Sequence, residues 1–191
     1  LKFNATLEED KMMVMVVNAS VARWIFKLLK TNYNVIIKLT TRTMKRFKAR
    51  NLYILEVKEK LDLIYKDIDN IFKEINTSSD EEKKAFLKGM FLACGSINDP
   101  KKNQYHLEFL VKEEADAKLI DNLLNGLKIK SKILKRDREY MVYVKSSENI
   151  SDFIKYLGAF NALFYFEDIR IYKDHKNMVN RLNNCEQANV E

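Results

Sequence analysis

Apolar positions change period along this chain. Met12–Val17 is a short apolar run that reads as a strand, and it leads into Ala19–Thr31, where apolar residues return at helical spacing. Val35–Arg42 and Leu52–Lys58 are strand-like, and Leu61–Ile75 is helical again. The second half repeats this order. Tyr105–Val111 reads as a strand and Glu114–Asn125 as a helix with Ala115, Leu119 and Leu123 on its apolar face. Ile129–Arg136 and Tyr140–Lys145 form a strand pair, and Glu148–Leu157 a helix. Sliding the sequence by 94 residues sets Val17 on Val111, Ile25 on Leu119, Leu29 on Leu123 and Val35 on Ile129. The connection inside the first strand pair is seven residues longer, because Lys58 matches Lys145 at an offset of 87. The unit is hairpin, helix, hairpin, helix, used twice. Two copies predict a pseudo-twofold α+β domain, since a solenoid usually needs about three.

Boundary signals support these elements. Glu113 and Glu114 suit the positive start of a helix, and Gly126 suits its end. Ser78, Ser79 and Asp80, followed by Glu81 and Glu82, make a capping-box start for a helix over 78–95. Gly95 offers that helix a left-handed terminus. This helix has no counterpart in the first copy, where it would lie upstream of Leu1. A chain that begins on Leu1 rather than Met is expected to be a piece of a longer one. Ala85, Gly89 and Ala93 recur every four residues and line one face. Small residues stacked this way let another backbone approach closely, so this face is expected to be a motif-helix interface. Self-association, a retained upstream helix or a protein partner would each fill it; simple packing against a sheet is the alternative.

The nine residues Leu87-Lys88-Gly89-Met90-Phe91-Leu92-Ala93-Cys94-Gly95 resemble the LAGLIDADG motif of homing endonucleases, keeping the Leu, first Gly, Ala and last Gly. With the duplicated unit that follows, the resemblance implies an α+β fold built as a pseudo-twofold αββαββ repeat, here without its first motif helix. Two antiparallel sheets would then form a saddle over DNA. Active relatives need an acid at the eighth motif position to hold a divalent metal. Here that position is Cys94 and the sixth is Leu92. A thiol is a poor Mg²⁺ ligand, and Asn98-Asp99-Pro100 reads as a turn rather than a replacement. No catalytic residue, metal or other cofactor is expected.

A narrower resemblance covers the whole chain. Phe86–Pro100, Tyr105-His106-Leu107-Glu108, Leu157–Leu163 and Asn180-Arg181-Leu182-Asn183-Asn184-Cys185-Glu186-Gln187-Ala188-Asn189 are similar to the WhiA family. That family joins a degenerate LAGLIDADG-type domain to a C-terminal helix-turn-helix and regulates sporulation and cell division. The resemblance implies a first half over 1–77, a second half over 78–165 and a helical linker over 166–191, leading to a helix-turn-helix that is absent here.

Charge adds a candidate surface. The chain has 34 Lys+Arg against 27 Asp+Glu, a net charge of +7. Lys38, Arg42, Lys45, Arg46, Lys48 and Arg50 occur with no acid between positions 38 and 50. Lys128, Lys130, Lys132, Lys135, Arg136 and Arg138 crowd the matching region. At the 94-residue offset Lys38 falls on Lys132 and Arg42 on Arg136. Alternation along a strand puts 38 and 42 on one face, and 128, 130, 132 and 136 on one face, with Ile129 and Ile133 turned towards a core. Lys38, Arg42, Lys45, Arg46, Lys48, Arg50, Lys128, Lys130, Lys132, Lys135 and Arg136 are the expected duplex-DNA contacts, mainly to phosphates. The alternative is a solvated face that also protects strand edges.

The remaining features exclude other classes. No apolar run approaches the ~18 residues of a membrane span, and no secretory signal is visible. Cys94 and Cys185 lack metal-ligand spacing and read as free thiols in a reducing cytoplasm. His106 and His175 lie in no carboxylate cluster, Gly158 follows no phosphate-binding loop pattern, and Trp24, Phe26 and Tyr33 read as core. The expectation is a non-catalytic, nucleoid-associated transcription regulator. An active homing endonuclease or maturase, or a pure protein-interaction scaffold, are the competing readings.

Overall fold

The computed structural model describes residues 2, 5–8, 10–44, 50–102 and 104–189. The chain divides into two compact units, Leu1–Ser79 and Asp80–Glu191. The first contains β1 (Ala5–Glu8), β2 (Lys11–Val16), α1 (Ala19–Tyr33), β3 (Ile37–Met44), β4 (Arg50–Val57) and α2 (Leu61–Glu74), followed by a 3-10 turn, Ile75–Thr77. The second contains α3 (Asp80–Cys94), β5 (Gly95–Ile97), β6 (Leu107–Val111), α4 (Glu114–Gly126), β7 (Lys132–Lys135), β8 (Tyr140–Val144), α5 (Ser147–Tyr156) and α6 (Phe160–Ala188).

Each unit has a four-stranded antiparallel sheet, in the order β1-β2-β4-β3 in the first and β5-β6-β8-β7 in the second. The two offsets found in the sequence reappear as strand register. Lys38 stands opposite Glu56 on β4, and Lys132, 94 residues on, stands opposite Tyr143 on β8, 87 residues on. The two sheets are therefore built on one pattern.

Each sheet is covered on one face. In the first unit Met12, Val14, Val16, Leu55 and Val57 point to helices that contribute Ala22, Leu29 and Ile64. In the second, Leu107, Phe109, Val111, Val142 and Val144 are buried with Ile120, Leu124, Ile150 and Phe153. Local chemistry ends the helices. The Asn18 side chain accepts the backbone N–H groups of Ser20 and Val21, and Asn34 closes α1 at φ 49°. Ser146 caps α5 by accepting from the Asn149 N–H.

Several expectations need correction. α4 does end at Gly126, but the left-handed residue beyond it is Lys128, at φ 62°. Gly95 does not reverse the chain at α3 but enters β5 directly, paired with Phe109. Trp24 and Phe26 are 44% and 37% exposed and do not belong to the core, although Tyr33 does pack against it. The buried stripe of α4 is Asp116, Ala117, Ile120, Leu123 and Leu124, so Ala115 is on the outside. Helix phase explains both misreadings: an aromatic or alanine one position off the stripe lies about 100° away from it. Residues 166–188 continue the helix that starts at Phe160, and Phe166 is buried against the second unit.

Candidate nucleic-acid interface

The uncovered face of each sheet carries the candidate cations. On the first, Lys38 and Arg42 are exposed and share a face with Glu56 and Ile54 of β4. Glu56 is also paired with Lys58 at 3.8 Å. Arg50 begins β4 opposite Met44. Lys45, Arg46 and Lys48 lie outside the described residues.

On the second sheet the uncovered face runs through Glu108 and Leu110 of β6, Met141 and Tyr143 of β8, and Lys132 and Leu134 of β7. Arg136 extends this row, donating one guanidinium N–H to the Glu139 carboxylate and one to Met141 Sδ at 3.1 Å. Lys130, Lys132, Tyr143, Lys145, Glu148 and Asn149 line an open cleft of about 430 Å³. The Tyr143 ring has His106 stacked on it at 5.9 Å and the Lys145 ammonium 5.4 Å from its centroid. His106 pairs with Glu108 at 3.1 Å, and Ser96 donates to the other oxygen of the same carboxylate.

Two lysines belong elsewhere. Lys128 sits in the turn after α4 rather than on a strand. Lys135 has the opposite strand parity from Lys132, so it lies on the helix side, with its ammonium 5.9 Å from the Tyr140 ring. Ile133 shares that side but remains 38% exposed, because β7 is an edge strand with all four residues exposed. The His106–Glu108–Tyr143 cluster was missed in the sequence, since only the β6–β8 register brings 106, 108 and 143 together.

The motif helix presents a thiol where a divalent metal would need a carboxylate. Cys94 donates its thiol to the Met90 carbonyl at 3.2 Å, and burial, reinforced by the nearby Asp116 carboxylate, pushes its pKa up to about 12. Leu92 has no ligand atom. Asp99 accepts the Lys101 N–H and the Tyr165 hydroxyl, bonds that lower its pKa and complete a turn. These residues do not fit a divalent metal, and among the described residues no group of three or more His, Cys, Asp or Glu does.

On the small-residue face Ala85 is exposed, Gly89 and Ala93 are half-buried, and a Cβ built on Gly89 meets nothing within 4 Å. Gly95 is the opposite case. A Cβ there would lie 2.4 Å from the Phe91 ring and 2.8 Å from Phe91 Cα. Phe91 in turn packs edge-on against Phe109 and Phe153, at 6.1 and 5.7 Å, fixing α3 to the sheet and to α5.

Comparison with known proteins matches both units to one family. The model of the WhiA N-terminal LAGLIDADG-like domain matches residues 3–71, and that of the WhiA LAGLIDADG-like domain matches residues 83–176. The chain belongs to the WhiA family. It is 39% identical over 182 residues to the probable cell division protein WhiA of Oceanobacillus iheyensis and 45% identical over 184 residues to that of Bacillus cytotoxicus. Those alignments cover 91% of this chain and 58% of each relative, so the chain spans little more than half the length of these WhiA proteins. In fold it is similar to full-length WhiA from Thermatoga maritima, with a TM-score of 0.71 and 18% identity over 98% of this chain and 64% of that one. It is also similar to the homing endonuclease I-DmoI, solved with DNA and Mn, with a TM-score of 0.57 and 18% identity over 80% of this chain and 86% of that one. The α+β fold is thus that of the LAGLIDADG proteins. Among the described residues no helix is long and apolar enough to cross a membrane.

Proposed function

We propose that this chain is a non-catalytic DNA-binding part of a transcription regulator acting in cell division and sporulation. One observation carries the reading: Lys38 and Arg42, and Lys132 and Arg136, occupy equivalent register positions on the uncovered faces of two like sheets. Charge duplicated at matched positions is what phosphate contacts require, whereas solubility needs cations at no particular register. The DNA complex of I-DmoI supports this use of the fold. The relatives' description as cell division proteins supports the biological setting; a place at the nucleoid is part of the same proposal.

Catalysis is the weaker reading because the motif helix offers a protonated thiol where an acid is needed. Lys130 joins the same face, while Lys128 and Lys135 contribute little to it. The test is binding of labelled duplexes to the chain with Lys38, Arg42, Lys132 and Arg136 all changed to Gln. Loss of affinity on every duplex sequence is expected, with the salt slope reduced by about one for each contact removed. Unchanged binding would leave a protein-interaction scaffold. Cleavage of the duplex by the unaltered chain with Mg²⁺ or Mn²⁺ would restore the endonuclease reading.

A further inference from the structure

The cleft at the end of the second sheet breaks the symmetry of the repeat. Lys130 and Lys132 line it from the β7 side and Tyr143 and Lys145 from the β8 side, and the start of α5 closes it with Ser146, Glu148 and Asn149. Alternation puts 143 and 145 on the uncovered face, where Lys132 stands opposite Tyr143. Among the described residues no ion pair engages Lys130, Lys132 or Lys145. Glu108, the acid opposite Tyr143 on β6, is already taken by His106 and Ser96. Glu148, the one acid of the lining, has the Arg170 guanidinium of α6 in electrostatic reach. The first unit lacks this arrangement. At the 94-residue offset Ile36 stands in place of Lys130; at the 87-residue offset Glu56, Glu59 and Asp62 stand in place of Tyr143, Ser146 and Asn149. Two of those acids are engaged, since Glu56 pairs with Lys58 at 3.8 Å and Glu59 accepts the Ile36 N–H at 3.1 Å. Three lysines and one acid in the second unit therefore correspond to two lysines and three acids in the first.

We infer that this cleft is a binding site for the diphosphate group of a small ligand. Ammonium groups gathered around a recess focus their field on an anion, and lysine serves phosphate as a point charge. The volume of about 430 Å³ exceeds a lone phosphate and falls in the ~300–1,000 Å³ range of small-molecule sites. Cations kept for solubility or to protect strand edges would be needed by both units alike. The same contrast separates the cleft from the candidate DNA surface, whose carrying observation is charge duplicated at matched positions. Here the charge is not duplicated, and a site built in one unit suits a ligand that needs only that unit. The inference goes beyond the DNA reading and does not rest on it. Lys130 and Lys132 serve both faces, so Lys145 is the residue that tells them apart.

The probe is sodium pyrophosphate titrated into the 191-residue chain at constant ionic strength, read by calorimetry and by amide NMR shifts. Saturable binding of one pyrophosphate per chain is expected, with shifts confined to residues 130–132 and 143–149. Lys145 is exposed, so Lys145→Gln should fold normally and lower this affinity by about tenfold. Glu148→Gln, which removes the one acid of the lining, should raise it by about threefold. Duplex DNA affinity should stay within about twofold in Lys145→Gln. Absence of saturable binding, shifts spread alike over the lysines of both units, or an affinity indifferent to Lys145→Gln would each overturn the proposal. So would a loss of duplex affinity in Lys145→Gln equal to the loss for pyrophosphate, because the cleft would then be part of the DNA surface. A chain that binds pyrophosphate and no duplex would uphold this site and remove the DNA reading.

Discussion

Gly95 and Gly89 occupy the same motif and answer to different physics. Gly95 is glycine because the Phe91 backbone lies where a side chain would start, so Gly95→Ala should cost about 1–3 kcal/mol. Gly89→Ala, facing open space inside α3, should stabilise the chain by about 0.5–1 kcal/mol. Chemical denaturation of the two variants side by side checks both. Cys94 and Cys185 form a second contrast. The Cys94 thiol, held protonated by burial, should resist iodoacetamide in the folded chain, whereas exposed Cys185 should react. Mass spectrometry should find one label natively and two after denaturation; rapid labelling of both in the native state would contradict the burial of the motif helix. At this scale the sequence was legible where spacing fixes the inward side, as for Leu29 and Leu123, both buried. It was not legible where phase decides. Gly95 looked like a left-handed helix terminus and is a close approach, and Trp24 looked like core but lies off the stripe of α1.

Elements were read more reliably than single residues, because period and length carry them. Val35–Arg42 and Leu52–Lys58 became β3 and β4 with shifts of two residues or fewer. The 94- and 87-residue offsets anticipated the register of β3 on β4 and of β7 on β8, but not that of β2, where Val16 rather than Val17 holds the place that Val111 has in β6. What they could not show is how little of β7 is covered: Ile133 alternates correctly yet remains exposed, since an edge strand has a neighbour on one side only. Parity also separates cations that composition lumps together. Lys132→Glu with Arg136→Glu should weaken DNA binding by about tenfold or more, while Lys135→Glu on the helix side should change it by less than about threefold. Anisotropy titrations of these variants on a single duplex compare them directly. Equal losses from both would mean that charge acts through total sum rather than through the face.

The whole chain combines a duplicated α+β core with one long helix that only partly belongs to it. The repeat was visible in the sequence because both copies bury several matched positions, Leu29 with Leu123 and Val35 with Ile129, although Val17 is exposed where Val111 is buried. The exposure of α6 beyond Lys173 was not, because apolar residues on a mixed helix resemble core residues until burial is known. Family membership and fold agree with the sequence reading, and the matched cation positions turn it into a claim about DNA. The most direct measurement is fluorescence anisotropy of this chain with labelled duplex DNA across a salt titration. The account predicts binding at low salt that is insensitive to sequence and falls with a log–log slope of about −3 or steeper, as expected for four or more phosphate contacts. Absence of binding at low salt, or affinity that ignores salt, would contradict it.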